Sequence, residues 1–178
     1  MSDQNFETAL SYTLEFEGLY SNDPADPGGS TMEGITQVEY TLYLDSKGLP
    51  HQPVRQIPME DVRAIYKQNY WDACKCDSIA WPASCALFDF AVNSGRSRAV
   101  IELQNILKVS ADGVVGNDTI SHAALWNANN LTSAIMHARS AFLQELVAKR
   151  PILKKFENGW LTRVASLSRK LGLFDDVA

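Results

Sequence analysis

Apolar residues recur every three or four positions along most of the chain, which is the spacing of one face of an α-helix. This period predicts helices over residues 59–70, 83–94, 97–107 and 131–149, and shorter helical patterns at residues 6–17, 37–43 and 156–164. Stretches rich in Pro and Gly separate them, most clearly at residues 46–58. The pattern therefore predicts a mainly α protein.

The first helical pattern ends in a carboxylate. Phe6, Leu10, Leu14 and Glu17 fall on one helix face, so Glu17 continues an apolar stripe. Apolar surroundings disfavour the charged form of a carboxylate and raise its pKa, which keeps a proton available near neutral pH. A general acid needs that proton. Periodicity alone leaves a second interpretation equally open, in which Glu17 is an ordinary residue whose carboxylate reaches solvent.

A dense cluster of turn-forming residues follows at residues 22–29. Asp and Asn bond their own backbone, Pro fixes φ and Gly allows positive φ. A short β-hairpin here is expected to bring Asp26 and Thr31 back beside Glu17. Glycoside hydrolysis uses such a set, because one acid protonates the leaving oxygen while a second carboxylate, or a carboxylate with a hydroxyl, orients water or stabilises the oxocarbenium-like centre. A calcium-binding or structural loop is the alternative, although the EF-hand spacing of acidic residues is absent.

The order of residues around this loop resembles the N-acetylmuramidases of glycoside hydrolase family 108, which include phage endolysins and muramidases used in bacterial protein release. The resemblance rests on Glu17-Gly18-Leu19-Tyr20, Ser21-Asn22-Asp23-Pro24, Asp26-Pro27-Gly28-Gly29, Thr31 and Gly34-Ile35-Thr36, and later on Phe88-Asp89-Phe90-Ala91-Val92-Asn93-Ser94-Gly95. The family hallmark is Glu-Gly-Gly-Tyr with an essential Glu. Leu19 replaces the second Gly here, which keeps the acid but reduces local backbone freedom.

This resemblance implies a lysozyme-like fold of two helical lobes, with a small β-hairpin or loop beside an active-site groove. It also implies hydrolysis of the β-1,4 bond between N-acetylmuramic acid and N-acetylglucosamine in peptidoglycan. Glu17 would protonate the glycosidic oxygen, Asp26 is the first choice for the second carboxylate and Thr31 for orienting water, with Asp23 and Thr36 open as substitutes. A non-catalytic peptidoglycan-binding protein and a lytic transglycosylase are the alternative functions.

The side chains predicted to contact the substrate are Tyr20, Asn22, Trp71, Asp89 and Asn93. A Trp71 ring could stack on a pyranose, although core packing is the usual role of a lone Trp. Asp89 and Asn93 lie one turn apart on an apolar helix, where they could bond each other, a neighbouring helix end or an N-acetyl group. Near the end of the chain, Trp160 is expected to anchor the last helix to the core, and Arg163 to pair with an acid.

Residues 111–119 resemble a helical peptidoglycan-binding module that is attached to these muramidases. Asp112-Gly113 predicts a tight turn, and Asn117 is the predicted N-cap of the next helix. Sugar or peptide binding by this segment is implied by the resemblance alone. We therefore predict a muramidase catalytic region at residues 1–95 and a peptidoglycan-binding-like helical region at residues 96–178, packed together as two lobes or as one compact domain.

The 178 residues carry a net charge of −5 and are 46% hydrophobic, enough for a buried core. The acidic balance argues against nucleic acid as the main partner. It also means that an anionic cell wall would be recognised by shape or by local basic patches. The N-terminus lacks the apolar region of a signal peptide, and no apolar run is long enough to span a membrane. We expect a monomer that is made in the cytoplasm and acts on peptidoglycan after release, with a holin or export partner.

The chain has three cysteines, Cys74, Cys76 and Cys85. An odd number of cysteines in a sequence with no recognisable signal peptide predicts reduced thiols. A bridge from Cys85 to one of the others after export is the alternative. The spacing of Cys74 and Cys76 is not that of a zinc site, and no nearby His supplies a further ligand. The histidines are scattered as well, at His51, His122 and His137. No metal and no cofactor are expected.

Overall fold

A computed structural model of the protein describes residues 2–18, 20–21 and 30–173. Its helices are α1 (Ser2–Leu14), α2 (Gln37–Lys47), α3 (Met59–Tyr66), α4 (Ala83–Ser94), α5 (Arg96–Leu107), α6 (Asn117–Ala123), α7 (Ala128–Lys149) and α8 (Lys154–Lys170). Its strands are β1 (Tyr20–Ser21), β2 (Thr31–Met32) and β3 (Ile35–Thr36). The predicted mainly α fold with a small hairpin is confirmed.

The three strands form an antiparallel sheet in the order β1-β2-β3. Within the β2–β3 hairpin, Thr31 pairs with Thr36 and Met32 with Ile35. Only Glu33 and Gly34 separate the two strands, and their φ angles are +50° and +75°. Positive φ at both central residues is the mark of a type I′ turn, whose twist suits a two-residue hairpin. The hairpin is thus a tight unit that holds Thr31 at a fixed register.

Thr36 begins helix α2 as its N-cap. Its hydroxyl accepts a hydrogen bond from the Glu39 backbone N–H at 3.1 Å, and the Glu39 carboxylate accepts one from the Thr36 backbone N–H at 2.9 Å. This reciprocal pair is a capping box. The Thr36 side chain is therefore occupied by the helix start, which disfavours it as a substitute for Thr31.

Trp71 lies in the centre of an aromatic cluster and is 1% exposed. The rings of Phe6 and Phe88 each pack edge-on at 5.6 Å from it, and its indole N–H donates to Asp77 at 2.7 Å. A ring enclosed in this way offers no face to a sugar. The prediction that Trp71 is a substrate platform is therefore wrong, and its role is core packing.

Helix α4 is the centre of the core, with every residue from Ala83 to Ala91 buried. It contacts α1, α5 and α7, and α7 in turn packs against α8. A helix that is surrounded on all sides must be apolar all round, which explains its composition. The same core reaches into both regions predicted from the sequence, and their separation at residue 95 stays a prediction.

The buried face of helix α7 differs from the predicted one. We expected Ile135, Ala138, Phe142, Leu146 and Lys149 to face inward, but the buried residues are Leu131, Thr132, Ile135, Met136, Arg139, Leu143 and Val147. The face is rotated because α7 is contacted by α4, α5 and α8 together. This rotation places a charged residue, Arg139, inside the core. At α6, Gly116 rather than the predicted Asn117 occupies the N-cap position.

The three cysteines are free and buried. Burial raises the pKa of the Cys74 thiol to about 12 and raises those of Cys76 and Cys85 as well. The thiols are therefore protonated and unreactive at neutral pH. Among the residues that the structure describes, no helix has the length and apolar character needed to cross a bilayer.

Candidate active site

Glu17 lies just beyond the end of α1, at the rim of a groove. The helix ends at Leu14, three residues earlier than the sequence suggested, and two tight turns carry the chain onward. In these turns the Phe16 and Glu17 backbone N–H groups donate to Thr13 and Leu14, at 3.0 and 3.2 Å. The Glu17 side chain is 19% exposed. Its carboxylate is therefore largely enclosed but open on one side.

The nearest partner of this carboxylate is Arg163 of helix α8. Its Nη1 donates to Glu17 Oε1 at 2.7 Å, and its side chain is only 7% exposed. The guanidinium also lies over the Phe16 ring, 5.4 Å from its centroid. The surroundings of Glu17 are thus charged as well as apolar, which the sequence pattern did not indicate. The expectation that Arg163 pairs with an acid is confirmed.

Arg163 is itself held by Asp89, which lies on the central helix α4. The Arg163 Nη2 and Nε donate to Asp89 at 2.6 and 3.1 Å. Arg139 of α7 donates to Asp89 Oδ2 at 2.6 Å, and the Thr13 hydroxyl of α1 donates to Asp89 Oδ1 at 2.8 Å. Four helices therefore meet at one carboxylate, and the chain of contacts runs from Arg139 through Asp89 and Arg163 to Glu17. We call these four residues the buried ion network.

The buried ion network joins two carboxyl groups and two guanidiniums. Burial by itself would raise the pKa of Asp89, but the positive charges of Arg139 and Arg163 and their hydrogen bonds lower it well below its ordinary value. Burial lowers the pKa of Arg139. For Arg163 burial acts in the same direction, yet Asp89 and Glu17 outweigh it and raise the pKa. Asp89 and Arg163 therefore remain charged at neutral pH.

This arrangement corrects the prediction that Asp89 contacts substrate. Asp89 is 1% exposed, and both of its oxygens accept hydrogen bonds from arginines. A buried carboxylate with these partners fixes helices and the Arg163 side chain instead of meeting a sugar. Asn93, one turn further along α4, does lie at the groove, next to Glu17. Of this predicted pair, only Asn93 is placed where a substrate could reach it.

The β2–β3 hairpin packs against the other oxygen of Glu17. A Cβ atom built on Gly34 would lie 2.7 Å from Glu17 Oε2 and 2.5 Å from the Tyr66 hydroxyl oxygen. Tyr66 donates to the Glu33 carbonyl at 2.8 Å, which fastens the turn to α3. Burial, and then the charge of Glu17, raise the Tyr66 pKa, so the phenol stays a donor. The turn thus closes over the carboxylate because it carries no side chain at Gly34.

We expect Gly34→Ala to lower the turnover rate by about 10²-fold, because its methyl group must displace the Glu17 carboxylate or the turn. The matched control is Gly48→Ala, since Gly48 also has a left-handed backbone (φ +65°) but no atom within 4 Å of a built Cβ. Both variants should lose about 1–2 kcal/mol from backbone strain. The measurements are the rate of peptidoglycan hydrolysis and the melting temperature of both variants. An equal fall in activity in the two variants would contradict this prediction.

The groove beside Glu17 has a volume of about 440 Å³. Its lining residues come from the α1 end, α4 and α8 and are Phe16, Glu17, Val92, Asn93, Gly159, Trp160 and Arg163. A depression of about 580 Å³ elsewhere has no acidic lining residue. Another, of about 480 Å³, is lined by Glu7, which pairs with Arg63, and by the exposed Asp3 and Glu60. The groove therefore has the partly buried carboxylate that acid catalysis requires.

Several predicted site residues lie outside the described residues. They are Asn22, Asp23 and Asp26, together with the side chain of Tyr20. Thr31 lies in β2 and pairs with Ser21 and Thr36. The hairpin that carries Thr31 contacts Glu17 through its turn at Gly34, whereas Thr31 lies at the other end of the two paired strands.

Sequence reasoning missed two parts of this site. The first is Arg139, whose signal was its position: it follows Leu131 and Ile135 and precedes Leu143 at four-residue spacing, so an arginine interrupts an apolar stripe. The second is the place of Trp160 at the groove: its ring packs against the core, as expected, and also lines the groove. Nothing local marks Trp160, because the wall it faces comes from residues near the start of the chain.

Two family models match consecutive parts of the chain. Residues 10–95 match "Glycosyl hydrolase 108", and residues 98–165 match "Predicted Peptidoglycan domain". The solved structure of SagA from Brucella abortus has a TM-score of 0.80 to this chain at 29% sequence identity. That match covers 97% of this chain and 96% of SagA. No curated protein sequence shows significant similarity to the chain.

The enclosed carboxylate and its groove thus lie in a glycoside hydrolase that acts on peptidoglycan. Its residues 10–95 match glycosyl hydrolase family 108 and its residues 98–165 match a peptidoglycan domain, on a mainly α, lysozyme-like fold. The resemblance seen in residues 17–36 is confirmed by these matches.

Proposed function

We propose that the protein is an N-acetylmuramidase and that Glu17 is its general acid. The proposed bond is the β-1,4 linkage between N-acetylmuramic acid and N-acetylglucosamine. The observation that carries the proposal is the position of Glu17, whose 19% exposed carboxylate lines the groove while two structural elements hold it. A carboxyl group held in this way can meet a glycosidic oxygen without first being freed from the protein surface.

The two oxygens of Glu17 have different surroundings, which suggests different tasks. Oε1 accepts from Arg163, while Oε2 faces the hairpin turn at Gly34. In the proposal the transferable proton sits on Oε2, because Oε1 is occupied by a donor. When the proton has passed to the leaving oxygen, Arg163 stabilises the carboxylate that remains. Asp89 keeps Arg163 in position and so acts through it.

The proposed second group is Asp26, with Thr31 orienting the attacking water. The support for Thr31 is its place on the hairpin that contacts Glu17. A second carboxylate on the opposite side of the sugar would either activate that water or stabilise the oxocarbenium-like centre. Asp26 precedes this hairpin in the chain, and Asp23 is the neighbouring alternative.

Asp26→Asn is expected to slow peptidoglycan hydrolysis by about 10²-fold or more, because an amide cannot act as base or carry the negative charge. Asp23→Asn is the matched control and should keep most of the activity. The measurement is the initial rate of reducing-end release from purified peptidoglycan. A large loss in Asp23→Asn alone would move the role from Asp26 to Asp23.

Analysis of the products tests the proposed bond and reaction. Fragments released from purified peptidoglycan are reduced with borohydride and identified by mass spectrometry. The proposal expects reduced N-acetylmuramic acid at the new ends. Reduced N-acetylglucosamine would show that the other glycosidic bond is cut, and anhydro-muramic ends would show a lytic transglycosylase. Action on the cell wall after release from the cytoplasm, with a holin or export partner, remains a prediction, as does the monomeric state.

A further inference from the structure

Helix α8 carries an unusual stripe of residues, of which Gly159, Trp160 and Arg163 line the groove and Phe156 lies one turn earlier. Phe156, Gly159, Trp160 and Arg163 follow the helical spacing i, i+3, i+4 and i+7, which normally marks a face buried in the core. Here Arg163 reaches Glu17, but the stripe opens outward from there, and Phe156 is 46% exposed. Trp160 packs against the core, but core packing does not account for the exposed Phe156 beside it or for the part of Trp160 that lines the groove.

The two aromatic rings of this stripe contact each other. Phe156 and Trp160 stack with their centroids 5.8 Å apart and their planes inclined by only 28°. Trp160 is half-buried and lines the groove together with Glu17. The Lys155 ammonium lies 4.8 Å from the centroid of the Phe156 ring. Stacking against Phe156 and packing against the core restrict the Trp160 ring, which reduces the entropy that it loses on binding a ligand.

Gly159 leaves space in front of this surface. No atom lies within 4 Å of a Cβ built on it, and its backbone does not need the freedom of glycine. Glycine in a helix interior lowers stability by roughly 0.5–1 kcal/mol relative to Ala. A glycine here has a reason despite this loss of stability if a side chain at position 159 would fill the groove. Asn93 lines the same groove from α4 and offers an amide as donor and acceptor.

We propose that Phe156 and Trp160 form a sugar-binding subsite, called here the α8 aromatic platform, next to the Glu17 site. Its ligand class is an N-acetylhexosamine ring of the glycan strand. One C–H face of the pyranose would rest on Trp160 over Gly159, with Phe156 extending the contact toward the next ring, and Asn93 would bond the acetamido group. A mostly apolar surface with a few placed polar groups is the usual composition of such sites. This inference rests on the proposed function.

Enzyme kinetics on a soluble peptidoglycan glycan, stripped of its stem peptides, test the platform. Phe156→Ala is expected to raise KM about three- to tenfold with little change in kcat, since stacking contacts contribute at about this level. Gly159→Leu is expected to raise KM about tenfold or more by filling the groove, and Gly159→Ala by less. Leu125→Ala removes another exposed apolar side chain, 83% exposed, and should match the wild type.

Binding without turnover gives a spectroscopic readout of the same subsite. In a Glu17→Gln background, a peptide-free peptidoglycan tetrasaccharide is expected to change the tryptophan fluorescence. Adding Trp160→Phe should abolish most of that change, whereas Trp126→Phe, at a residue 39% exposed between α6 and α7, should keep it. Thermal melting of each variant shows whether it is folded, and Gly159→Leu should melt no lower than the wild type because its side chain meets open space.

The outcomes separate this inference from the proposed function. If the wild type hydrolyses peptidoglycan but Phe156→Ala and Gly159→Leu keep its KM, the platform is overturned and the function stands. If the wild type cleaves nothing, yet the fluorescence change depends on Trp160, the platform stands and the catalytic proposal fails. A fluorescence change that Trp160→Phe leaves intact also overturns the platform.

Discussion

Glu17→Gln is expected to lower peptidoglycan hydrolysis by about 10³-fold while the protein keeps its fold. The amide cannot deliver a proton to the glycosidic oxygen, but it has the same shape and can still accept from Arg163. Asp89 continues to hold Arg163, so the rest of the buried ion network stays paired. The measurement is reducing-end release from purified peptidoglycan, with circular dichroism and thermal melting as the check on folding.

The matched control for this variant is Glu15→Gln, two residues earlier in the chain. Glu15 pairs with Lys170 at the surface, where its side chain is 52% exposed, so losing its charge should change stability by less than about 1 kcal/mol. Hydrolysis should stay at the wild-type level. Equal activity of Glu17→Gln and Glu15→Gln would show that Glu17 is not the general acid.

Asp89→Asn is expected to lower the free energy of unfolding by about 3–5 kcal/mol, because it leaves the buried Arg139 without a counter-charge and Arg163 with Glu17 alone. Arg139 is 0% exposed and Arg163 is 6% exposed, so water can do little to compensate. The melting temperature should fall by about 10 °C for a chain of this size. Asp45→Asn, which removes an exposed carboxylate paired with His51, is the control and should melt close to the wild type.

The same carboxylate predicts a pH dependence with a definite sign. The pKa of Asp89 in the native protein is lower than its ordinary value of 3.8, so below that pH the unfolded chain binds a proton that the native chain does not. Its stabilisation is therefore fully present above about pH 5 and is lost as the pH falls through 3.8 and below. Urea unfolding between pH 5 and 2 should show a shallower decline for Asp89→Asn. Parallel declines for wild type and variant would contradict this account.

Arg163 links the two predictions. One of its nitrogens bonds the proposed acid, Glu17, and the others bond Asp89 on the central helix α4. The position of Glu17 therefore depends on the position of α4. This is why a change at Asp89 is expected to affect catalysis as well as stability, although Asp89 lies too deep to meet the substrate. The groove and the core are therefore coupled through Arg163.

Local sequence pattern predicted the elements that depend on local interactions. Helix α4 has the bounds that the sequence indicated, and Val100, Leu103 and Leu107 of α5 all face inward as expected. The period of 3.6 residues and the Gly or Pro at helix ends are sufficient for such elements. The position of Glu17 near a hairpin was also predictable, because the turn residues lie close to it in the chain.

What the pattern could not give are the contacts between distant parts of the chain. Trp71 and Trp160 have the same ring, yet Trp71 is 1% exposed and Trp160 lines the groove. Their difference depends on which helix packs over each, and α8 meets Glu17 only in the folded protein. The sequence likewise suggested that Asp89 is a polar residue at the groove. Its partners Arg139 and Arg163 lie 50 and 74 residues further along the chain, so local pattern could not reveal them.

The most direct test of the central claim compares two substrates with different leaving groups. One is the natural glycan, and the other is an aryl glycoside of the same disaccharide whose activated phenol departs without protonation. If Glu17 donates the proton, Glu17→Gln loses activity on the glycan but cleaves the aryl glycoside at close to the wild-type rate. An equal loss on both substrates, or a loss on neither, would contradict the assignment of Glu17 as the general acid.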